Sequence, residues 1–237
     1  MTHRGDDLEP LTIWQPDDRR AYNDPGSSPW GLVCLIANAN GGFGSGTIVG
    51  PRHVLTASHV VAWNTTAAER IDVHQAGTTQ SATTFATRAL AFTQILGDPT
   101  VTTLDEDYAV LVTRERIGDR FGWLGTRTYD SSWDGDNIWD TMGYAGDVAS
   151  GVFPVFQQRK NMDEDEWDLG SGRAMTTSAD VMPRQSGSPM FAKWAEGNFV
   201  VSVVSAVGSV WASGLENWCS GGNDLTRLVK IARAENP

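Results

Sequence analysis

Three short segments of this 237-residue chain carry side chains that can do acid–base or nucleophilic chemistry. Thr56-Ala57-Ser58-His59 ends a strand-like run and leaves an imidazole at a strand-to-turn junction. An imidazole there can accept a proton near neutral pH. The other histidines have different settings: His3 lies in a polar N-terminal arm, and His53 and His74 lie in strand-like contexts. Met182-Pro-Arg-Gln-Ser-Gly-Ser-Pro-Met-Phe191 sets Ser186 in a tight, glycine-containing turn just before an apolar strand. Such a turn can aim a hydroxyl and backbone amides at one point, giving a nucleophile and an oxyanion hole together. Leu104-Asp-Glu-Asp-Tyr-Ala-Val-Leu-Val112 places Asp107 directly before a buried-looking strand. A carboxylate there can orient an Nδ1 proton. Asp105 and Glu106 read as solvated neighbours. Taken singly, His59 reads first as a structural histidine and Ser-Gly-Ser-Pro as a common turn; taken together, the three segments reinforce one another.

The elements that must hold these residues are mostly strands. Gly31–Ala39, Gly44–Val49, Val54–Thr56, Ile71–His74, Thr83–Phe92 and Tyr108–Thr113 are rich in β-branched and alternating apolar residues. A second set follows at Ile138–Tyr144, Gly151–Gln157, Arg173–Ala179, Pro189–Lys193 and Phe199–Ala206. Two sets of about six short strands predict an all-β chain of two closed units joined near residues 114–124. The division expected is an arm over 1–28, a first unit over 29–118 and a second over 119–237. Leu225–Ala234, with apolar Leu225, Leu228, Val229, Ile231 and Ala232, predicts a short closing helix.

Composition excludes several classes. With 18 Lys+Arg against 29 Asp+Glu, net charge −11, no basic surface is expected for nucleic acid. The longest apolar stretch, Phe199 to Trp211, is interrupted and too short to span a bilayer, so no membrane role is expected. The N-terminus has no apolar h-region, so the chain as written reads as cytoplasmic; a leader already removed would make it a secreted protein. Cys34 and Cys219 are spaced for neither a zinc site nor a redox motif, and are open to one bridge or to two free thiols. The acidic stretches Asp130–Asp140 and Asp163–Asp168 do not fit a calcium loop and read as solvated loops. The 10 tryptophans fit a carbohydrate-stacking surface or a core equally well.

The order His59, Asp107, Ser186 is that of chymotrypsin-type serine proteases. Thr56-Ala57-Ser58-His59 resembles that family's histidine motif, Asp107-Tyr-Ala-Val-Leu its aspartate motif, and Gln185-Ser-Gly-Ser-Pro its serine motif. Asp17-Asp18-Arg19, Gly143-Tyr144-Ala145-Gly146-Asp147 and Ser-Gly-Ser-Pro resemble the bacterial V8-like, glutamyl endopeptidase-like branch. The similarity runs over roughly residues 13–235. It implies two six-stranded antiparallel β-barrels with the triad in the cleft between them, a protein or peptide substrate, and no cofactor. By the same resemblance Ser186 attacks the scissile carbonyl, His59 shuttles the proton, and Asp107 fixes the tautomer. The amides of Arg184 and Ser186 would form the oxyanion hole. Asp180, Val181, Ser205, Ala206 and Val207 would line the substrate pocket.

Departures from the family shape further expectations. Gln185 stands where animal zymogens carry an aspartate, so charge switching by a new N-terminus is not expected. Arg184 stands where glycine is usual, and its Cβ disfavours the turn. One expectation is therefore a hole incompletely formed at rest, completed by substrate or a regulatory partner protein; the other is that the turn suits Arg184. Val181 and Val204 stand where glutamate-specific relatives place hydrogen-bonding residues, which disfavours cleavage after Glu. Asp180 at the pocket floor predicts a preference for Arg or Lys; if it turns into its loop, an apolar preference follows. A catalytically silent peptide-binding module is the alternative from another class.

Overall fold

The computed structural model describes residues 13, 16–21, 28–74, 81–148, 151, 153–164, 171–208 and 216–237. Most of the expected arm, the end of the second acidic stretch and Trp211 lie outside the described residues. Among the described residues the first element is a two-residue strand, β1 (Arg20–Ala21). Six strands then close a barrel: β2 (Val33–Ala37), β3 (Phe43–Gly50), β4 (His53–Thr56), β5 (Arg70–His74), β6 (Ser81–Leu90) and β7 (Ala109–Thr113), in the order β2-β3-β4-β7-β6-β5. β4 and β7 are buried along their whole length. Their Val- and Leu-rich sequences suit strands covered on both sides. A short helix, α1 (Ile117–Phe121), follows this barrel.

The second unit is built from β8 (Gly125–Thr126), β9 (Trp139–Gly143), β10 (Val155–Lys160), β11 (Met162–Glu164), β12 (Gly172–Thr177), β13 (Pro189–Trp194), β14 (Gly197–Gly208) and β15 (Glu216–Gly222). Its path runs β1-β10-β9-β13-β14-β15-β12-β11, with β8 alongside β14. This differs from the expected closed six-strand barrel: the second unit is a curled sheet whose two ends do not join in one ladder among the described residues. A covalent turn does that work. β10 and β11 are separated by Asn161 alone, and Asn161 is pinned by Thr177 Oγ1 to its carbonyl at 2.9 Å and by its own amide to Ser178 Oγ at 3.0 Å. The acidic Asp163-Glu164 is therefore strand rather than loop. β15 was not expected at all.

The C-terminal helix, α2 (Asn223–Glu235), lies on the first barrel although it follows the second. Leu225, Leu228, Val229 and Ala232 join one apolar cluster with Ile48, Val54, Val110 and Leu111 of the first barrel and Phe191, Val200 and Val203 of the second sheet. Each fully buried Leu or Val is worth roughly 1.5–3 kcal/mol, so α2 fastens the two halves together. His53 belongs to this joint: its Nε2 lies 3.0 Å from the Ala232 carbonyl. A separate core in the second sheet packs Tyr129, Trp139, Met162, Met175, Val181, Met190, Val201, Val204 and Cys219, with Trp133 and Trp194 against it. Trp133, Trp139 and Trp194 lie within 5.3–6.0 Å of one another, so these tryptophans fill a core. Cys34 and Cys219 are buried free thiols in separate cores. No helix among the described residues is long and apolar enough to cross a membrane.

Candidate active site

Register brings the first two candidate residues together. β4 pairs with β7 so that Thr56 faces Ala109. Carrying that register two residues past the ladder sets Asp107 opposite Ser58, beside His59. His59 sits in a single 3-10 turn, Ser58–Val60, held on several sides. Ser58 Oγ donates to Thr93 O at 2.7 Å and accepts from Ile95 N at 3.2 Å, and Trp63 Nε1 donates to Ser58 O at 2.9 Å. The buried Glu69 carboxylate accepts from Ala62 N at 2.8 Å and Ala39 N at 2.7 Å, tying the segment after His59 to the turn between β2 and β3.

Asp107 is fully buried and its carboxylate is engaged at both oxygens. Oδ1 accepts the His59 amide at 2.9 Å, and Oδ2 lies 2.6 Å from His59 Nδ1. Ser205 Oγ, reaching from β14, donates to the same Oδ2. Three donors on one buried carboxylate hold it in one orientation toward His59. Burial opposes a charge on His59, but the Asp107 charge, its hydrogen bond to Nδ1 and the more distant Asp98 together raise the imidazole above its ordinary value. Asp105, expected to be solvated, is instead buried, with its backbone and carboxylate closing on Gly172 of β12. Glu106 is half-buried and takes the Thr93 hydroxyl.

Ser186 lies in two consecutive turns. Gln185 N bonds Met182 O at 3.0 Å, and Ser188 N bonds Gln185 O at 2.9 Å. The third residue of each turn has positive φ: Arg184 at 81° and Gly187 at 84°. With Pro183 second, the first is a type II turn. A Cβ on Gly187 would lie 2.1 Å from Ser45 O and 2.3 Å from Thr56 Oγ1, so only glycine lets the Ser186 turn press on the strand end that leads to His59. Gln185 closes the first turn from within, its Oε1 accepting Met182 N at 2.9 Å.

Ser45 of β3 ties the turn to the first barrel. Its amide donates to Ser186 O at 2.7 Å, and its hydroxyl donates to Arg184 O at 2.9 Å while accepting Tyr144 N at 2.9 Å. Sequence reasoning missed Ser45; its one signal was a hydroxyl between two glycines in the strand before the histidine. Arg184 adopts the positive φ, and its guanidinium lies 4.3 Å from the centre of the Phe43 ring. Gly151 makes room for it: a Cβ there would be 2.4 Å from Arg184 Nη1.

The expected pocket residues fall in different places. Asp180 is buried, its backbone held on Gln157 (amide to Oε1 2.8 Å; carbonyl to Nε2 2.7 Å). Asn217 Nδ2 holds the preceding Ala179 carbonyl at 2.7 Å. Val181 is buried, its side chain in the second sheet's apolar cluster with Val204. Ser205 turns its hydroxyl to Asp107, and Ala206 packs toward Leu104, Ala174 and Trp218. Val207 continues β14 opposite Asn217. Among the described residues no group of His, Cys, Asp or Glu is arranged to hold a metal.

The family described as Trypsin-like peptidase domain matches residues 44–200. No curated protein matches the chain by sequence. A solved Glu endopeptidase in complex with MPD superposes with TM-score 0.70 at 17% identity, covering 91% of this chain and 96% of that one. The protease Anisep from Arthrobacter nicotinovorans superposes with TM-score 0.64 at 16% identity, covering 88% and 98%.

Proposed function

Because the chain belongs to the trypsin-like peptidase domain family, we propose that it is a serine endopeptidase working through His59, Asp107 and Ser186. The observation that carries this reading is the fully buried Asp107 carboxylate, bonded to His59 Nδ1 at 2.6 Å and steadied by Ser205. Such a carboxylate selects the tautomer that leaves Nε2 free to accept a proton. Ser186 Oγ attacks the scissile carbonyl as Nε2 takes its proton, and the carbonyl electrons move to an oxyanion received by the Arg184 and Ser186 amides. Collapse expels the amine, which takes the proton from Nε2, and leaves an acyl-enzyme. Water then repeats the sequence and frees Ser186. Every proton and electron pair is carried by protein, substrate and water.

For the residue before the scissile bond the reading is Arg or Lys. Asp180 is a buried carboxylate in a segment anchored by Gln157 and Asn217, and a substrate guanidinium or ammonium suits it. Val181 and Val204, turned into the core, offer a substrate carboxylate no hydrogen bond. The test is hydrolysis of a mixed peptide pool by the native protein and by Ser186→Ala. Cleavage lost in the variant supports the proposal, and cleavage at the native rate by folded Ser186→Ala refutes it.

A further inference from the structure

The orientation of one peptide plane decides whether the Arg184 amide can serve an oxyanion. In a trans peptide the carbonyl and the next N–H point in opposite directions. Pro183 O accepts the Gly146 amide at 2.9 Å, so the Arg184 N–H is aimed away from the Gly146 segment. Gly146 thus fixes the plane from behind. The neighbouring residue, Asp147, is held in turn from far along the chain. Arg19 Nη1 and Nη2 reach its two carboxylate oxygens at 2.9 and 2.6 Å. The same guanidinium bonds Asp17 through Nε at 3.0 Å and Nη2 at 2.9 Å. The Arg19 side chain is only 2% exposed, with a carboxylate on either side. Its own segment is fixed by the β1–β10 ladder and by Lys160 Nζ on both Asp18 oxygens at 2.8 Å. On the far side of Gly146, Tyr144 N is bonded to Ser45 Oγ, which also holds the Arg184 carbonyl.

We propose that Arg19 and Asp147 are positioning residues for the oxyanion hole: their two-pronged ion pair holds the Tyr144–Asp147 segment, whose Gly146 amide sets the Pro183–Arg184 peptide plane. The inference rests on the serine peptidase reading above. A paired guanidinium shielded from water keeps its geometry better than an exposed pair. Neither residue touches substrate in this scheme. The effect is therefore on the transition state and not on ground-state binding.

The experiment compares Asp147→Asn, Asp147→Glu and Arg19→Gln with the native protein on one peptide substrate. It measures kcat and KM, inhibition by a peptidyl aldehyde that binds as a hemiacetal oxyanion, and thermal unfolding. Loss of a whole oxyanion donor costs about 10²–10³-fold in kcat. A loosened one should cost on the order of tenfold in Asp147→Asn and Arg19→Gln, with KM unchanged and aldehyde affinity falling in parallel. Asp147→Glu, which keeps the charge, should recover most of the rate. Unchanged kcat in both neutral variants overturns the inference and leaves the peptidase reading standing. So does a rise in KM alone with aldehyde affinity unchanged. A native protein that turns over no peptide overturns both.

Discussion

Replacing Arg184 by alanine and, separately, by glycine isolates two quantities that the native residue combines. At φ 81° a residue with a Cβ carries about 1–2 kcal/mol of backbone strain that glycine does not. Against this, glycine has a freer unfolded chain, which costs about 0.4–1 kcal/mol. Arg184→Gly should therefore be more stable than Arg184→Ala by about 1 kcal/mol. For a chain of this size that is roughly 2–4 °C in Tm. Alanine also loses the guanidinium contact with Phe43, about 0.5–1 kcal/mol at a partly exposed ring. The expected order is native close to glycine, with alanine below both. Because the Met182–Gln185 bonds and Ser45 already hold the turn, kcat of the glycine variant on a neutral peptide should stay near native. Any change should fall far short of the ~100-fold cost of a lost oxyanion donor. Thermal unfolding and steady-state kinetics give both readings. An alanine variant as stable as the glycine one would refute the positive φ. A clear rise in kcat for glycine would mean that Arg184 keeps the resting hole incomplete.

Asp107→Asn should lower kcat by about 10⁴-fold by favouring the wrong imidazole tautomer, whereas Asp105→Asn, at a side chain packed on Gly172, should affect stability rather than kcat; the reverse pattern would move the aspartate role. The acid limb of kcat/KM should lie above the ordinary imidazole value near 6.5, since Asp107 and Asp98 raise His59. Activity then rises with pH through that limb as the imidazole loses its proton, and Asp98→Asn should move the limb to lower pH; an unmoved limb would remove Asp98 from the site's field. In a fluorogenic peptide library the native protein should favour Arg and Lys before the scissile bond, and Asp180→Ala should lose that preference; faster cleavage after Leu or Phe by the native protein would contradict the basic pocket.

The residues of the candidate site were legible because each carries a local signature. His59 ends a β-branched strand, Asp107 starts another, and Ser186 sits between turn residues. The first barrel was legible for the same reason, down to Val54–Thr56, and the helix over 225–234 followed from its apolar spacing. What stayed hidden depends on partners distant in sequence. β15 reads Glu-Asn-Trp-Cys-Ser-Gly-Gly, a poor strand sequence by propensity, and exists because β12 and β14 flank it. β11 was masked by its acids, which the ladder with β12 overrides. Spacing gave Val181 a position and not a facing; its side chain lies in the second sheet's apolar cluster. The 128-residue separation of Arg19 and Asp147 leaves no local trace of their pairing. Arg184 broke a local rule, and its guanidinium lies against a ring, Phe43, of the first barrel.

The measurement that bears most directly on the serine peptidase reading is covalent labelling by a fluorophosphonate, mapped by mass spectrometry. The native, folded protein should carry one adduct, on Ser186 Oγ. Labelling should collapse in His59→Ala and on unfolding, because the reactivity depends on the imidazole and the oxyanion amides. A folded native protein that takes no label, or takes it on another residue, would contradict the assignment of Ser186 as the nucleophile.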